Sequence, residues 1–457
     1  MATIAEQYSE YAATFACNDI PEAVRRRACH LILDSAGVAL AASTYDFAHR
    51  TVNALAGLGH GDSDVIGMSV KLPLRDAVLA NGALIHGIDF DDTHKQGNIH
   101  ITSSCFPTAL AVAAQAEKSG RDVLEAYILG VELATRLAKV ARRRFNPAGF
   151  HATGLVAAFG CAVIAGKLYG LSREQFTMAQ GIVYSMAAGT REYSANSSGS
   201  KRLHPGWAGV AGITAAVLAR SGITGPRTTY EGRYGLYATH LGMDTNPEDL
   251  ALATAGLGHG WETMHISVKP FPACQLSIVF IEAAIKTAIA HDLKASDIAS
   301  VEVVVPPSSV NVICEPVAVR KRPINSYATQ FSLQFGLACG LARRKFGLTE
   351  LQSHGDAELL ALAEKVNYRV DPDPACSPHG SGEIAVTLRN GKVLKVRDEP
   401  AAAGNDLSFS EPSVVSKYWG NARIAVSSSR AEAIRGQILG LETQSHARHV
   451  ARRLSTD

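Results

Sequence analysis

Between Asn81 and Pro107 the chain reads NGALIHGIDFDDTHKQGNIHITSSCFP. This stretch sets Asp89, Asp91 and Asp92, the imidazoles of His86, His94 and His100, and the hydroxyls of Thr93, Thr102, Ser103 and Ser104 behind an apolar run. Such a density of acid, base and small donors suits proton transfer on a small polar substrate. Aspartates near the end of a helix ordinarily form turns or caps. Here Val78, Leu79, Ala83, Leu84, Ile85 and Ile88 mark a core helix, so His86 and Asp89, three positions apart on one stripe, lie beside its buried face. A polar group in that place must be paired or working.

Three more polar clusters lie further along the chain. Arg142-Arg143-Arg144 leads into Gly149-Phe150-His151-Ala152-Thr153, a pattern read either as a solvated basic face or as an anion site where His151 meets a helix N-terminus. Asn196 to Gly206 runs NSSGSKRLHPG, either an exposed polar loop or a carboxylate cradle in which Lys201 holds or moves a proton beside Arg202 and His204. His265 to Gln275 carries Lys269 and Cys274 and is stiffened by Pro270 and Pro272, which fits a linker or a site wall at a domain junction. Together these segments supply several cations. They point to a small anionic carboxylate handled by side chains.

No motif calls for a cofactor. There is no GxGxxG and no GxxxxGK[ST], and the eight cysteines at 17, 29, 105, 161, 274, 314, 339 and 376 form no CxxC pair, so neither a nucleotide nor a bound metal is expected. Scattered thiols read as reduced, mostly buried residues of a cytoplasmic protein. The net charge of +2 argues against a nucleic-acid surface. The start MATIAEQYSEY lacks the basic flank and apolar core of a signal peptide, and the longest greasy run, Thr153 to Gly166, reads as a buried helix, so no membrane is expected.

The elements that must position these residues are mainly helical. A chain of 457 residues exceeds one ordinary core, so two domains are expected. From Ile4 to about Gly222 the spacing predicts helices over Pro107–Lys118, Asp122–Val140, Thr153–Leu168, Arg173–Ala188 and His204–Ala219, packed closely through Ala and Gly. After His265 the pattern changes. Helices are predicted over Leu276–His291, Ser326–Lys345 and Ala357–Lys365, with strands at Val301–Val305, NYRVD, GEIAVTLRN and KVLKVRD, the last two joined at Asn390-Gly391. Pro400 onwards reads as a loop and then a helix over Ser428–Leu441. The expected fold is mostly α: an all-helical domain over 1–268, onto which 405–457 could dock back, and a smaller α+β domain with an antiparallel sheet over 269–404.

In order and spacing the clusters resemble the MmgE/PrpD family across nearly the whole chain. The most specific piece is NGALIHGIDFDDTH at Asn81 to His94, supported by GFHATG at Gly149, SKRLHPGWAGVAG at Ser200, GITGP with Glu231-Gly232, and KPFPACQ at Lys269. The resemblance implies a large all-helical domain built from both chain ends (1–268 completed by 405–457), a smaller α+β lid between them, a homodimer with its site in a cleft, and a cofactor-independent enzyme for small carboxylic acids, with dehydratases, decarboxylases and epimerases among the family's members. Carried over by residue, it implies roles for Asp89, Thr93, His100, His151, Lys201 and His204. Departures from the family pattern are Phe335 where the decarboxylase branch has Tyr, Cys274 where it has His, Ile278 where dehydratase-like members often have His, and Ser200-Lys201-Arg202 for Thr-Lys-Pro.

The expected reaction is dehydration of a hydroxylated, 2-methylcitrate-like di- or tricarboxylate. Its barrier is the weakly acidic C–H beside a carboxylate, so fixed positive charge must stabilise an enolate-like dianion. Lys201, His204 and one of Arg144, Arg191 or Arg202 would grip the acid, with Lys269 and Cys274 also lining the substrate site. His151 or Lys201 would take the proton, and His100 or an Asp89 of raised pKa would protonate the leaving hydroxyl. An epimerase or decarboxylase using the same carbanion is the second reading, and a non-catalytic small-acid binder the third.

Overall fold

The computed structural model describes residues 2–196, 198–242, 246–373, 382–398 and 410–456. The chain forms two compact units: Met1–Gly87, Asp91–Val268 and Glu411–Asp457 make the first, and Ile88–Phe90 with Lys269–Ser410 the second. The expected boundary at 404 and the loop from Pro400 fall outside the described residues.

The first unit is built of helices around Ala152–Tyr169, which packs against His204–Arg220, Gly120–Val140 and Thr102–Gln115. That central helix is long and apolar enough to cross a membrane, but 89% of it is buried within the unit, where alanines and glycines let its neighbours approach. Local signals set the ends. Ser119 caps Gly120–Val140 in a reciprocal bond pair with Asp122, Ser172 does the same for Arg173–Tyr184 with Gln175, and Gly170 closes the central helix at φ 70°.

At one crossing two helices come closer than a side chain allows. A Cβ on Gly82 would lie 2.5 Å from the Cα of Gly206, so the backbones of Leu74–His86 and His204–Arg220 touch there and admit only glycine. Asn81 beside it is structural: its amide donates to the Asp64 carbonyl at 3.1 Å and its oxygen accepts from Ile66 N–H at 2.8 Å.

The helix expected from Pro107 begins five residues earlier, at Thr102. The Asp92 carboxylate accepts from the Thr102 hydroxyl and, at 3.4 Å, from its N–H, so it satisfies a first-turn donor and moves the start upstream. Short strands at Thr93–His94 and Ile266–Ser267, which the residue pattern did not suggest, pair antiparallel.

In the second unit a four-stranded sheet has the spatial order Val366–Val370, Ile298–Val305, Gly382–Leu388, Val393–Asp398. It is mixed, not purely antiparallel. Val366–Val370 runs parallel to Ile298–Val305 because helices, not a tight turn, connect them, whereas the Asn390-Gly391 turn gives the expected antiparallel hairpin. Ile278–Ala290 packs on the hairpin strands and against Leu333–Arg343. The helix expected over Ser326–Lys345 is two pieces, Ser326–Gln330 and Leu333–Arg343, because the Ser332 hydroxyl accepts from Phe335 N–H and starts a new helix.

Candidate active site

Four helix ends in the first unit bring four imidazoles together. His86 is the last residue of Leu74–His86, His100 lies just before Thr102–Gln115, His151 caps Ala152–Tyr169, and His204 opens His204–Arg220. Gly154 makes the last meeting possible, since a Cβ there would be 3.0 Å from the His204 Cβ. Ring centroids are 5.1 Å apart for His86 and His100, 5.5 Å for His86 and His151, and 5.2 Å for His151 and His204. Tyr193 stands edge-on to His151 at 5.8 Å.

The electrostatics keep two of these rings neutral. Burial drives His151 well below its ordinary pKa, with His86, Lys201, His204 and His100 adding to the effect. Burial, then His86 and Lys201, brings His204 down to about 4. Both stand at helix N-termini, which further disfavour a cation and favour an anion. Their Nδ1 atoms are 3.0 Å apart, so one shared proton links them. The ring that donates Nδ1–H keeps a basic lone pair on Nε2, and the ring that accepts carries Nε2–H. One proton between two nitrogens therefore leaves a basic lone pair on one Nε2 and a hydrogen on the other. Lys201, 6% exposed, supplies the positive charge.

The remaining two rings are oriented through Nδ1. His86 donates to Asp91 Oδ2 at 2.6 Å, and His100 donates to the Asp92 carbonyl at 2.6 Å with Thr93 Oγ1 3.3 Å away. His100 N–H donates to Thr153 Oγ1 at 3.0 Å, tying the GFHAT segment to this loop. Asp92 is fully buried. Desolvation, then the Asp91 carboxylate, pushes its carboxyl up to about 7 against the opposing bond from Thr102, whose hydroxyl also meets Tyr127 OH at 2.7 Å.

The residues singled out from the sequence fall in both units. Thr93, His100, His151, Lys201 and His204 share the imidazole cluster. Asp89, Lys269 and Cys274 belong to the second unit. There the Lys269 ammonium binds Asp89 Oδ1 at 3.0 Å and its carbonyl at 2.9 Å, both residues being buried, and Asp89 takes a left-handed φ of 51°. A raised carboxyl is found in this motif at Asp92. Cys274 is half-buried, its N–H donating to the Gln330 carbonyl at 2.8 Å.

The arginines have other partners. Arg144 reaches Asp249 at 3.1 Å together with Arg142, and Arg191 donates to the Asn146 carbonyl at 3.1 Å. Arg202 donates to the Gly87 carbonyl at 2.8 Å and covers the Phe47 ring at 4.2 Å. His94 is likewise structural, bonded to Glu262 at 3.0 Å and to Gly97 N–H at 3.0 Å. His86, Asp91 and Asp92, which the opening stretch names without assigning them a role, are site residues, and so is Tyr193, which no sequence motif marks out. The buried stripe carrying His86 is the one available signal. Of the cysteines, all but half-buried Cys274 are buried and free among the described residues, and Cys376 lies outside them.

Known proteins share this sequence pattern. The model of the MmgE/PrpD N-terminal domain matches residues 6–248, and that of the C-terminal domain residues 271–443. A cis-aconitate decarboxylase of Aspergillus terreus is 28% identical over 96% of this chain and 93% of its own. That of Homo sapiens is 24% identical over 97% and 92%, and that of Mus musculus 29% over 60% and 56%.

Proposed function

We propose that this chain, which belongs to the MmgE/PrpD family, is a lyase for a small di- or tricarboxylate that works by proton transfer through side chains alone. The supporting observation is the His151–His204 contact: two neutral imidazoles, one buried and one half-buried, sharing one proton at 3.0 Å beside a buried lysine. The names of the relatives, cis-aconitate decarboxylases, agree with a carboxylic acid substrate and with bond cleavage beside a carboxylate.

Lys201 and the helix N-termini hold a carboxylate of the substrate and stabilise the enolate-like charge that develops on it. The Nε2 lone pair of one ring in the dyad takes the proton from the carbon beside that carboxylate. The Nε2–H of the other protonates the departing hydroxyl, and transfer of the Nδ1 proton to that second ring leaves both rings neutral with their tautomers exchanged. Exchange of the Nε2 protons with water and return of the Nδ1 proton restore the starting pair. His100, its Nδ1 fixed on the Asp92 carbonyl, presents its Nε2 as a further base. The same two nitrogens serve decarboxylation, where carbon dioxide leaves and the acid protonates the carbanion. Water is the preferred leaving group in this reading, because the chain carries Phe335 and Cys274 where the decarboxylase branch carries Tyr and His.

Purified protein incubated with 2-methylcitrate, citrate and cis-aconitate, with products followed by NMR and carbon dioxide measured in parallel, tests the reading. Formation of an unsaturated acid without carbon dioxide is expected. Carbon dioxide release matching product formation makes the enzyme a decarboxylase, and no turnover of any di- or tricarboxylate refutes the lyase.

A further inference from the structure

In the second unit, Arg320 is only 4% exposed and stands on the short helix Val317–Lys321. Its position is fixed from two sides. Nε donates to the Glu315 carbonyl at 2.9 Å, and the Arg320 carbonyl accepts from the Ser332 hydroxyl that starts Leu333–Arg343. Yet no carboxylate among the described residues lies within 4.0 Å of the guanidinium. The nearest candidate by sequence, Glu315, turns its carboxylate elsewhere, accepting from Val317 N–H at 2.8 Å and from Tyr368 OH at 2.5 Å.

The ionisable groups near enough to act on Arg320 are Cys274, Cys314 and Tyr327, and burial opposes its charge. Thiols and phenols are ordinarily uncharged at neutral pH, and burial raises the Cys314 thiol further, to about 12. An arginine does not give up its proton, so this side chain is a cation in the protein interior without a counter-charge among the described residues. Its outer nitrogens are not among the fully sealed, unbonded polar atoms and make no hydrogen bond among the described residues, so each keeps some exposed surface from which an anion can be met.

We propose that Arg320 is a carboxylate-binding site of the second unit, its outer Nη pair forming a two-pronged donor for one carboxylate of a small acid. That the anion is a carboxylate rests on the polyacid reading above. The anion site itself rests on the burial and missing partner of Arg320. A rigid backbone and a fixed Nε make the fork pre-organised. Binding then supplies the charge that the fold lacks.

Thermal unfolding of the wild type, Arg320→Met and Arg320→Lys, with and without citrate and separately with sulfate, tests the site. Without anion, Arg320→Met is expected to melt at or above the wild type, because it removes an uncompensated buried charge. Its citrate affinity is expected to fall roughly 30-fold or more, with Arg320→Lys between the two. A lower melting temperature with unchanged citrate affinity makes Arg320 a structural residue and overturns the site. If sulfate but not citrate stabilises the wild type through Arg320, the anion site stands and the polyacid reading fails. If neither effect depends on Arg320, the site is refuted.

Discussion

Replacing Asp92 by Asn removes a buried carboxyl while keeping its shape, and the consequence is a change in how stability depends on pH. In the folded chain Asp92 titrates at about 7 against an ordinary 3.8, mainly because it is desolvated and faces Asp91. Its folded pKa is raised, so between these values the native state holds a proton that the unfolded chain has lost, and stability falls as pH rises. Carrying the carboxyl from 3.8 to about 7 corresponds to about 4 kcal/mol in total. Between pH 5 and pH 7 the wild type should lose roughly 2.5 kcal/mol relative to Asp92→Asn, at about 1.4 kcal/mol per pH unit. His204, lowered to about 4, gives the opposite slope, but it is present in both proteins and cancels in the difference. Changes in the cap on Thr102 shift the difference by a constant and leave the slope alone. Urea unfolding of both proteins at several pH values measures the slope, and infrared difference spectra should show a carboxyl band titrating near neutrality that the variant lacks. Parallel stability profiles from pH 5 to 7, with no such band, would mean that Asp92 is an ordinary ionised cap.

Other consequences are as direct. His151→Ala and Lys201→Ala should each lower turnover by about 10²–10⁴-fold while nearly preserving the melting temperature, as circular dichroism would report. Glu262 is held down to about 2, burial being outweighed by bonds from His94 and Lys139, so its carboxylate stabilises the fold above pH 4.5 and that contribution fades as pH falls through 2. Glu262→Gln should therefore cost about 3 kcal/mol at pH 7 and progressively less in acid, by denaturant titration at each pH. Lys269→Met strands the buried Asp89 charge and should cost about 3–5 kcal/mol, most of it recovered by adding Asp89→Asn.

Much of this is legible in the residues, and the limits have physical reasons. Helical spacing marks Gly120–Val140 and Ala152–Tyr169 to within two residues of where they stand, because local signals act on both: Ser119 caps the first, and the second is an unbroken apolar run closed by Gly170. The break at Ser332 and the parallel placement of Val366–Val370 depend on partners distant in sequence. Within the site, imidazoles are recognisable by type, but two glycine contacts between helices decide which of them meet. Asp89 and Asp92 stand three residues apart in one motif and look alike as letters. One faces the Lys269 ammonium and the other a carboxylate, so their chemistry differs through neighbours that the motif does not name. Arg202, read from its type as a substrate ligand, also donates to the Gly87 carbonyl and covers the Phe47 ring, contacts that its neighbours in sequence do not name.

The central claim is that the His151–His204 pair exchanges a proton with the carbon skeleton of a small polyacid. The most direct test is turnover of cis-aconitate and 2-methylcitrate in heavy water, forward and reverse, with deuterium located by NMR and mass spectrometry in the wild type and in His151→Ala. One solvent deuterium on the carbon beside a carboxylate, formed by the wild type and lost in a folded His151→Ala, is the expected result. Deuterium entering at the same rate in both proteins would contradict it.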